Sequence, residues 1–135
     1  MTEPFRHSLT VRYNECDPQG VVFNGNYLIY FDVGITALWR EAGGYQEMMA
    51  AGMDLVVAEA TVRYLAPLRF DDEVEMAITV ARLGETSMTT HYELSRDGEP
   101  VADGELRHVF VEAGGEKKLP IPAPIRSALE AYSPS

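Results

Sequence analysis

Cysteine is almost missing from this chain. Cys16 is the only one in 135 residues, so no intrachain disulfide can form and a disulfide-stapled secreted scaffold is excluded. The opening Met1-Thr2-Glu3-Pro4 has neither the basic nor the apolar region of a secretory signal, so the cytoplasm is the expected compartment. No apolar run approaches the ~18 residues needed to cross a bilayer, and no membrane partner is expected. Positive charge is scarce: 11 Lys plus Arg face 21 Asp plus Glu, a net charge of −10. Such a surface repels nucleic-acid phosphates and anionic membranes, which argues against nucleic acid as a partner. A small polyanion can still bind at a local basic patch, and nine of the 11 basic residues are Arg, whose planar fork suits phosphate. His7, His91 and His108 stand far apart without a His-x-x-x-His spacing, so no metal is expected. Gly-x-Ser-x-Gly is also missing, which argues against a serine hydrolase of the α/β type. No Ser/Gly-rich linker, repeat or low-complexity segment divides the chain, so residues 1–135 read as one domain.

What is present is strongly patterned. Leu9, Val11 and Tyr13 alternate with Ser8, Thr10 and Arg12, the period of a half-buried strand. Asp17-Pro18 and Gly20 then mark a turn. From Asn24 to Ala42 the period lengthens: Leu28, Phe31, Ile35, Leu38 and Trp39 recur at three- and four-residue steps and predict a long helix. Asn24 is its expected N-cap, Phe23 and Leu28 form a hydrophobic staple, and Gly43-Gly44 ends it. A shorter helix is expected from Tyr45 to Ala51. Four strands follow, at Leu55 to Leu65, Val74 to Val80, Met88 to Leu94 and Val101 to Glu112, with an Asp97-Gly98 hairpin before the last. In the first of the four, Val56, Ala58, Ala60, Val62 and Tyr64 fall on one face, and Val57, Glu59, Thr61 and Arg63 on the other. A short helix from Pro124 to Tyr132 closes the chain. One strand, one long helix and four strands joined by short turns imply an antiparallel sheet packed on the helix, an α+β architecture.

The chemistry concentrates before the long helix. Asp17 places a carboxylate in the loop between a strand and the helix start, where free N–H groups and the positive end of the helix dipole favour negative charge. A thioester carbonyl docked on the N–H groups near Gly25, Asn26 and Tyr27 would be polarised as in an oxyanion hole, and a nearby carboxylate could attack it or activate water.

The stretch Arg12-Tyr13-Asn14-Glu15-Cys16-Asp17-Pro18-Gln19-Gly20-Val21-Val22-Phe23-Asn24-Gly25-Asn26-Tyr27-Leu28 resembles the signature of the 4-hydroxybenzoyl-CoA thioesterase-like branch of the hotdog-fold superfamily. Val62-Arg63-Tyr64-Leu65-Ala66-Pro67-Leu68, Gly84-Glu85-Thr86-Ser87 and Leu119-Pro120-Ile121-Pro122 extend the resemblance over most of the chain. The resemblance implies a sheet wrapped around one long helix, a homo-oligomer that is a dimer or dimer of dimers, and hydrolysis of an acyl-CoA without a cofactor beyond the coenzyme A of the substrate. It also implies that Asp17 is the catalytic carboxylate, as nucleophile or general base. Two positions depart from the pattern: Ile35 stands where Arg is common, and Asn24 where Tyr or His is found in several members.

Other readings stand beside these. Asp17 could be a plain turn residue, Asn24 a cap first and a substrate contact second, and Glu15 a solvated or salt-bridged carboxylate. Cys16 reads as a small buried hydrophobe. Arg63, Arg69 and Arg82 are candidate coenzyme A contacts and equally ordinary strand-end arginines; Ser87 is a candidate contact or a plain turn residue. A catalytically silent acyl-CoA binder is the alternative function, ahead of a hotdog hydratase or dehydratase, whose catalytic His is missing from Phe23-Asn24-Gly25.

Overall fold

Period-two alternation decides the sheet. In the computed structural model, which describes residues 3–134, Val74, Met76, Ile78 and Val80 of one strand and Met88, Thr90, Tyr92 and Leu94 of the next are all buried, while the residues between them are half-buried or exposed. The strands are β1 Phe5–Thr10, β2 Met53–Tyr64, β3 Glu73–Leu83, β4 Ser87–Arg96 and β5 Glu99–Glu112. They pair antiparallel throughout, in the order β1-β3-β4-β5-β2. The β4–β5 turn uses Asp97 and Gly98 with φ of 53° and 80°, the left-handed pair that a two-residue hairpin requires.

One long helix, α1 Asn26–Ala42, fills the concave side. Tyr27, Tyr30, Phe31, Ile35, Leu38 and Trp39 are buried against the sheet, each contributing about 1.5–3 kcal/mol relative to exposure. Contact is closest at two glycines. A Cβ on Gly34 would meet the Met76 Sδ at 2.3 Å, and one on Gly104 of β5 would meet the Thr61 carbonyl oxygen at 2.2 Å and the Phe31 ring at 2.7 Å. Phe31 in turn stacks on Tyr92, with centroids 4.4 Å apart and planes at 8°. The shorter helices are α2 Tyr45–Ala50 and α3 Ala123–Glu130. No helix among the described residues is long and apolar enough to cross a membrane. This is the α+β hotdog arrangement, an antiparallel sheet curled around one helix.

Three local expectations are corrected. β1 ends at Thr10 instead of continuing to Tyr13, because the Glu15 carboxylate captures the Arg12 N–H at 2.8 Å and turns Tyr13–Glu15 into a single 3-10 turn. Tyr13 is consequently 79% exposed. The long helix starts at Asn26 with Gly25 as its cap residue, and no side chain caps it. Asn24 makes no capping bond, and the expected staple is absent, with Phe23 and Leu28 both exposed. In β2 the register shifts between Val57 and Glu59. Val57 opposes His108 and Ala60 opposes Leu106, both of which are buried residues of β5, so the bulge at Ala58 puts Leu55 and Val57 on the same face as Ala60, Val62 and Tyr64. Sitting at the sheet edge, β2 leaves Val56, Val57 and Tyr64 about half exposed.

Candidate active site

The Asp17 carboxylate rides on a tight hairpin pressed against the helix start. The Gly20 N–H donates to the Asp17 carbonyl at 2.8 Å and the Asp17 N–H to the Val21 carbonyl at 2.9 Å. Gly20, at φ +81°, supplies the left-handed residue that ends such a loop. Cys16 and Val22 bridge at the hairpin base, and Val21 bridges to Arg69. Asp17 Oδ1 accepts from the Gln19 N–H at 2.8 Å, a local Asx bond. Oδ2 has no protein partner among the described residues, which leaves half of a partly exposed carboxylate for a ligand or water.

Glu15 fastens this hairpin to α1. Its Oε1 accepts from the Arg12 N–H and from the Tyr30 hydroxyl, both at 2.8 Å, and its Oε2 from Arg12 Nε at 3.0 Å. Its own carbonyl accepts from Asn26 Nδ2 at 2.8 Å and from the Phe23 N–H at 3.0 Å. Burial pushes the Glu15 pKa up, but the Arg12 N–H, the Tyr30 hydroxyl and the Arg12 guanidinium outweigh it and hold the group below its ordinary value. Tyr30 is pushed far above the ordinary tyrosine value by burial and by donating to that carboxylate. The charge is therefore structural. The Arg12–Glu15 pair is only three residues apart, but Arg12 is none of the Ser, Thr, Asp or Asn residues that mark a cap in sequence, and the Tyr30 partner, fifteen residues on, carries no local signal.

At the helix mouth the donors are sorted more finely than the sequence allowed. The Asn26 N–H donates to the Phe23 carbonyl at 2.9 Å and the Tyr27 N–H to the Asn24 carbonyl at 3.3 Å, and the Asn24 carbonyl also accepts from the Tyr64 hydroxyl at 3.0 Å. The N–H groups of Asn24 and Gly25 have no such partner among the described residues. The Tyr27 side chain is buried edge-on against Tyr64, with centroids 5.0 Å apart.

The four candidate coenzyme A contacts do not converge within one chain. Arg63 lies on the outer face and is committed to Asp103 through Nε at 2.8 Å and Nη2 at 2.5 Å. Arg69 stands beside the Asp17 hairpin. Arg82 and Ser87 lie at the far end of β3, roughly 30 Å along the strand direction from Arg69. There the Ser87 carbonyl accepts from the Gly84 N–H at 2.8 Å and Arg126 of α3 donates to the Gly84 carbonyl. Glu59 is exposed and lies 3.6 Å from Arg107. His91 sits on the outer face between Glu93 and Glu105, and no group of three metal-ligating side chains occurs among the described residues. Cys16 is a half-buried free thiol packed against the core.

Residues 11–129 match the family model described as the thioesterase-like superfamily. The chain belongs to that superfamily. A putative esterase of Aquifex aeolicus is 29% identical over 118 residues, covering 87% of this chain and 92% of the relative. The acyl-CoA thioester hydrolase YbgC of Escherichia coli O157:H7 is 32% identical over 88 residues, 64% of this chain and 66% of the relative. The crystal structure of a 1,4-dihydroxy-2-naphthoyl-CoA thioesterase from Synechocystis superposes with a TM-score of 0.85 over 93% of this chain and 94% of its own, at 21% identity, which establishes the fold. This member of the superfamily is thus a hotdog thioester hydrolase.

Proposed function

We propose that the enzyme hydrolyses acyl-CoA thioesters at the mouth of α1, with Asp17 as the reacting carboxylate. The observation that carries this reading is a carboxylate with one oxygen unengaged, on a hairpin that leads directly into the Asn24 and Gly25 N–H groups at the positive end of a helix. The thioester oxygen would face those N–H groups, which strengthen as donors when the carbonyl becomes a tetrahedral oxyanion. Asp17 either attacks the carbonyl carbon or takes a proton from a water that does. Collapse of the intermediate expels the coenzyme A thiolate, which leaves with a proton as the thiol. No cofactor beyond the substrate's own coenzyme A enters these steps. Arg69, beside the hairpin, is the best-placed contact for the coenzyme's phosphates, with Arg82 and Ser87 available only to a differently extended ligand.

Asp17→Asn tests the assignment. It keeps the size and the Gln19 contact, so fold and acyl-CoA binding should persist while turnover falls at least about a hundredfold, the lower bound for a general base. Near wild-type turnover would refute it; a silent binder, by contrast, would show no turnover to lose. Following thioester absorbance directly avoids thiol reagents that would label Cys16. A single turnover in ¹⁸O-water that labels the Asp17 carboxylate would identify it as the nucleophile, since a general base takes up no solvent oxygen.

The working form in this proposal is a homo-oligomer, a dimer or a dimer of dimers. Half-exposed Val56, Val57 and Tyr64 on an edge strand, with Leu28, Ile29 and Val33 of α1 also exposed, support it, because a long apolar edge pairs naturally with its own copy. The cytoplasm is the proposed site of action, in keeping with an unpaired Cys16.

A further inference from the structure

The turn that leads into α1 is not the one its glycine favours. The Asn26 N–H donates to the Phe23 carbonyl at 2.9 Å, which makes residues 23–26 a β-turn with Gly25 in the third place. Glycine there suits a type II turn, in which its φ is about +80°. The observed φ of −64° and ψ of −22° belong instead to type I. The two types differ by roughly half a rotation of a single peptide, the one joining Asn24 to Gly25. That peptide is trans, so its carbonyl and its N–H point to opposite sides. In the observed turn the Gly25 N–H is free to meet the thioester oxygen. In the flipped turn the Asn24 carbonyl oxygen would stand in its place and repel it.

Two donors hold the Asn24 carbonyl on its present side. The Tyr27 N–H is 3.3 Å away, beyond the roughly 2.7–3.2 Å usual for such a bond. The Tyr64 hydroxyl is closer, at 3.0 Å. Tyr64 does not depend on this bond for its own place. It is the last residue of β2 and pairs with Ala102 of β5, and the N–H groups of Leu65 and Ala66 that follow both donate to the Val101 carbonyl, at 2.9 and 3.1 Å. Its ring packs edge-on against buried Tyr27, with the planes at 89°. A hydroxyl carried by the sheet, forty residues further along the chain, thus reaches back to fix one peptide of the turn.

We propose that Tyr64 is a positioning residue for the hydrolysis: its hydroxyl holds the Asn24 carbonyl so that the Gly25 N–H stays turned toward the thioester oxygen. This rests on the acyl-CoA hydrolase reading and adds the group that aims its oxyanion donor. Such donors act by being oriented before the reaction begins. One hydrogen bond of ordinary net strength biases the choice between the two turns by roughly three- to tenfold. The aim of the N–H counts most when the carbonyl oxygen becomes an oxyanion and little while the substrate is merely bound, so Tyr64 acts on kcat and spares KM.

The test is a double-mutant cycle on the best acyl-CoA substrate. Tyr64→Phe removes the hydroxyl and keeps the ring against Tyr27, so kcat should fall roughly three- to tenfold with KM within about twofold of wild type. Gly25→Ala makes the positive φ of the flipped turn costly and holds the present turn without help from Tyr64. In that background Tyr64→Phe should change kcat by less than about twofold, and because Gly25→Ala is compared with the double variant, the effect of the added methyl itself cancels. An unchanged kcat, a rise in KM without a fall in kcat, or an equal fall in both backgrounds overturns the inference and leaves the hydrolase reading standing. Where Gly25→Ala is too slow to measure, the infrared stretch of a ¹³C-labelled thioester carbonyl bound to Asp17→Asn decides: Tyr64→Phe should move it back toward its value in water, and no movement overturns the inference. No turnover by wild type, or Asp17→Asn turning over at the wild-type rate, overturns the hydrolase reading and this inference with it.

Discussion

Replacing Tyr30 with Phe removes one oxygen atom from the fold and should cost about 1.5 kcal/mol. Tyr30 is buried at 3% exposure, so the Phe ring occupies the same space and no cavity opens. What disappears is the 2.8 Å bond to Glu15 Oε1. Bonds to charged groups contribute about 1.5–3 kcal/mol, and the lower end applies because Glu15 keeps the Arg12 N–H and Nε donors and its side chain is still 12% exposed. That is a little over tenfold in the folding equilibrium constant. The dependence on pH gives the sharper signature. The Glu15 pKa is lower in the fold than its ordinary 4.5, so its ionised form stabilises the protein above that value, and the contribution is lost as pH falls through the folded-state pKa. Tyr30→Phe removes a donor to the ionised form and so raises the folded-state pKa. The difference between wild type and variant should be full at neutral pH and shrink as Glu15 protonates in both. Urea denaturation over a pH series measures it. A difference below about 0.5 kcal/mol, or one that stays constant from neutral to acid pH, would refute the assignment of Glu15 as the fastening charge. If the hairpin loosens as argued, kcat should fall more than KM rises.

Gly104→Ala should lower stability by about 1–3 kcal/mol or more, because the new methyl meets the Thr61 carbonyl and the Phe31 ring and neither can retreat; an unchanged melting temperature would contradict the packing described. Gly34→Ala should cost less, since the flexible Met76 thioether can swing away and Ala gains up to about 1 kcal/mol of helix propensity. Val56→Lys should shift the proposed oligomer towards the 15.0 kDa chain in light scattering, and wild-type protein that is already monomeric at micromolar concentration would remove the oligomer from the account. Coenzyme A affinity should weaken as salt rises from about 0.01 to 1 M, across which the Debye length contracts from roughly 30 to 3 Å; salt-independent binding would point to apolar recognition instead.

Most of the sheet is legible in the sequence because the signal is local. Val74 to Val80 and Met88 to Leu94 keep strict alternation, and Asp97-Gly98 carries its own turn geometry. Phe31, Ile35 and Leu38 likewise declare the buried side of α1. The failures are the non-local features. Nothing about Ala58 announces a bulge, which shows only in the pairing of β2 with β5, and the bulge exchanges the faces assigned to Val57 and Val56. Asn24 has the right chemistry for a cap, but its carbonyl is claimed by Tyr27 and Tyr64 and the helix begins two residues later. Glu15 reads as a surface carboxylate until Tyr30 folds back onto it.

The two ends of the sheet are unlike, and this decides how far any assembly can grow. β2 offers twelve residues of edge, while β1 at the opposite end offers six. Of those six, Arg6, Ser8 and Thr10 point outward, and the Ser8 and Thr10 hydroxyls are already tied to Glu75 and Glu73 on the neighbouring strand. Two copies that join through β2 consume the adhesive end of each and are left with two short, polar termini that resist further strand addition. In such an assembly β1 would work as a chain terminator: growth of the sheet in its hydrogen-bonding direction, across the strands, would stop at two copies.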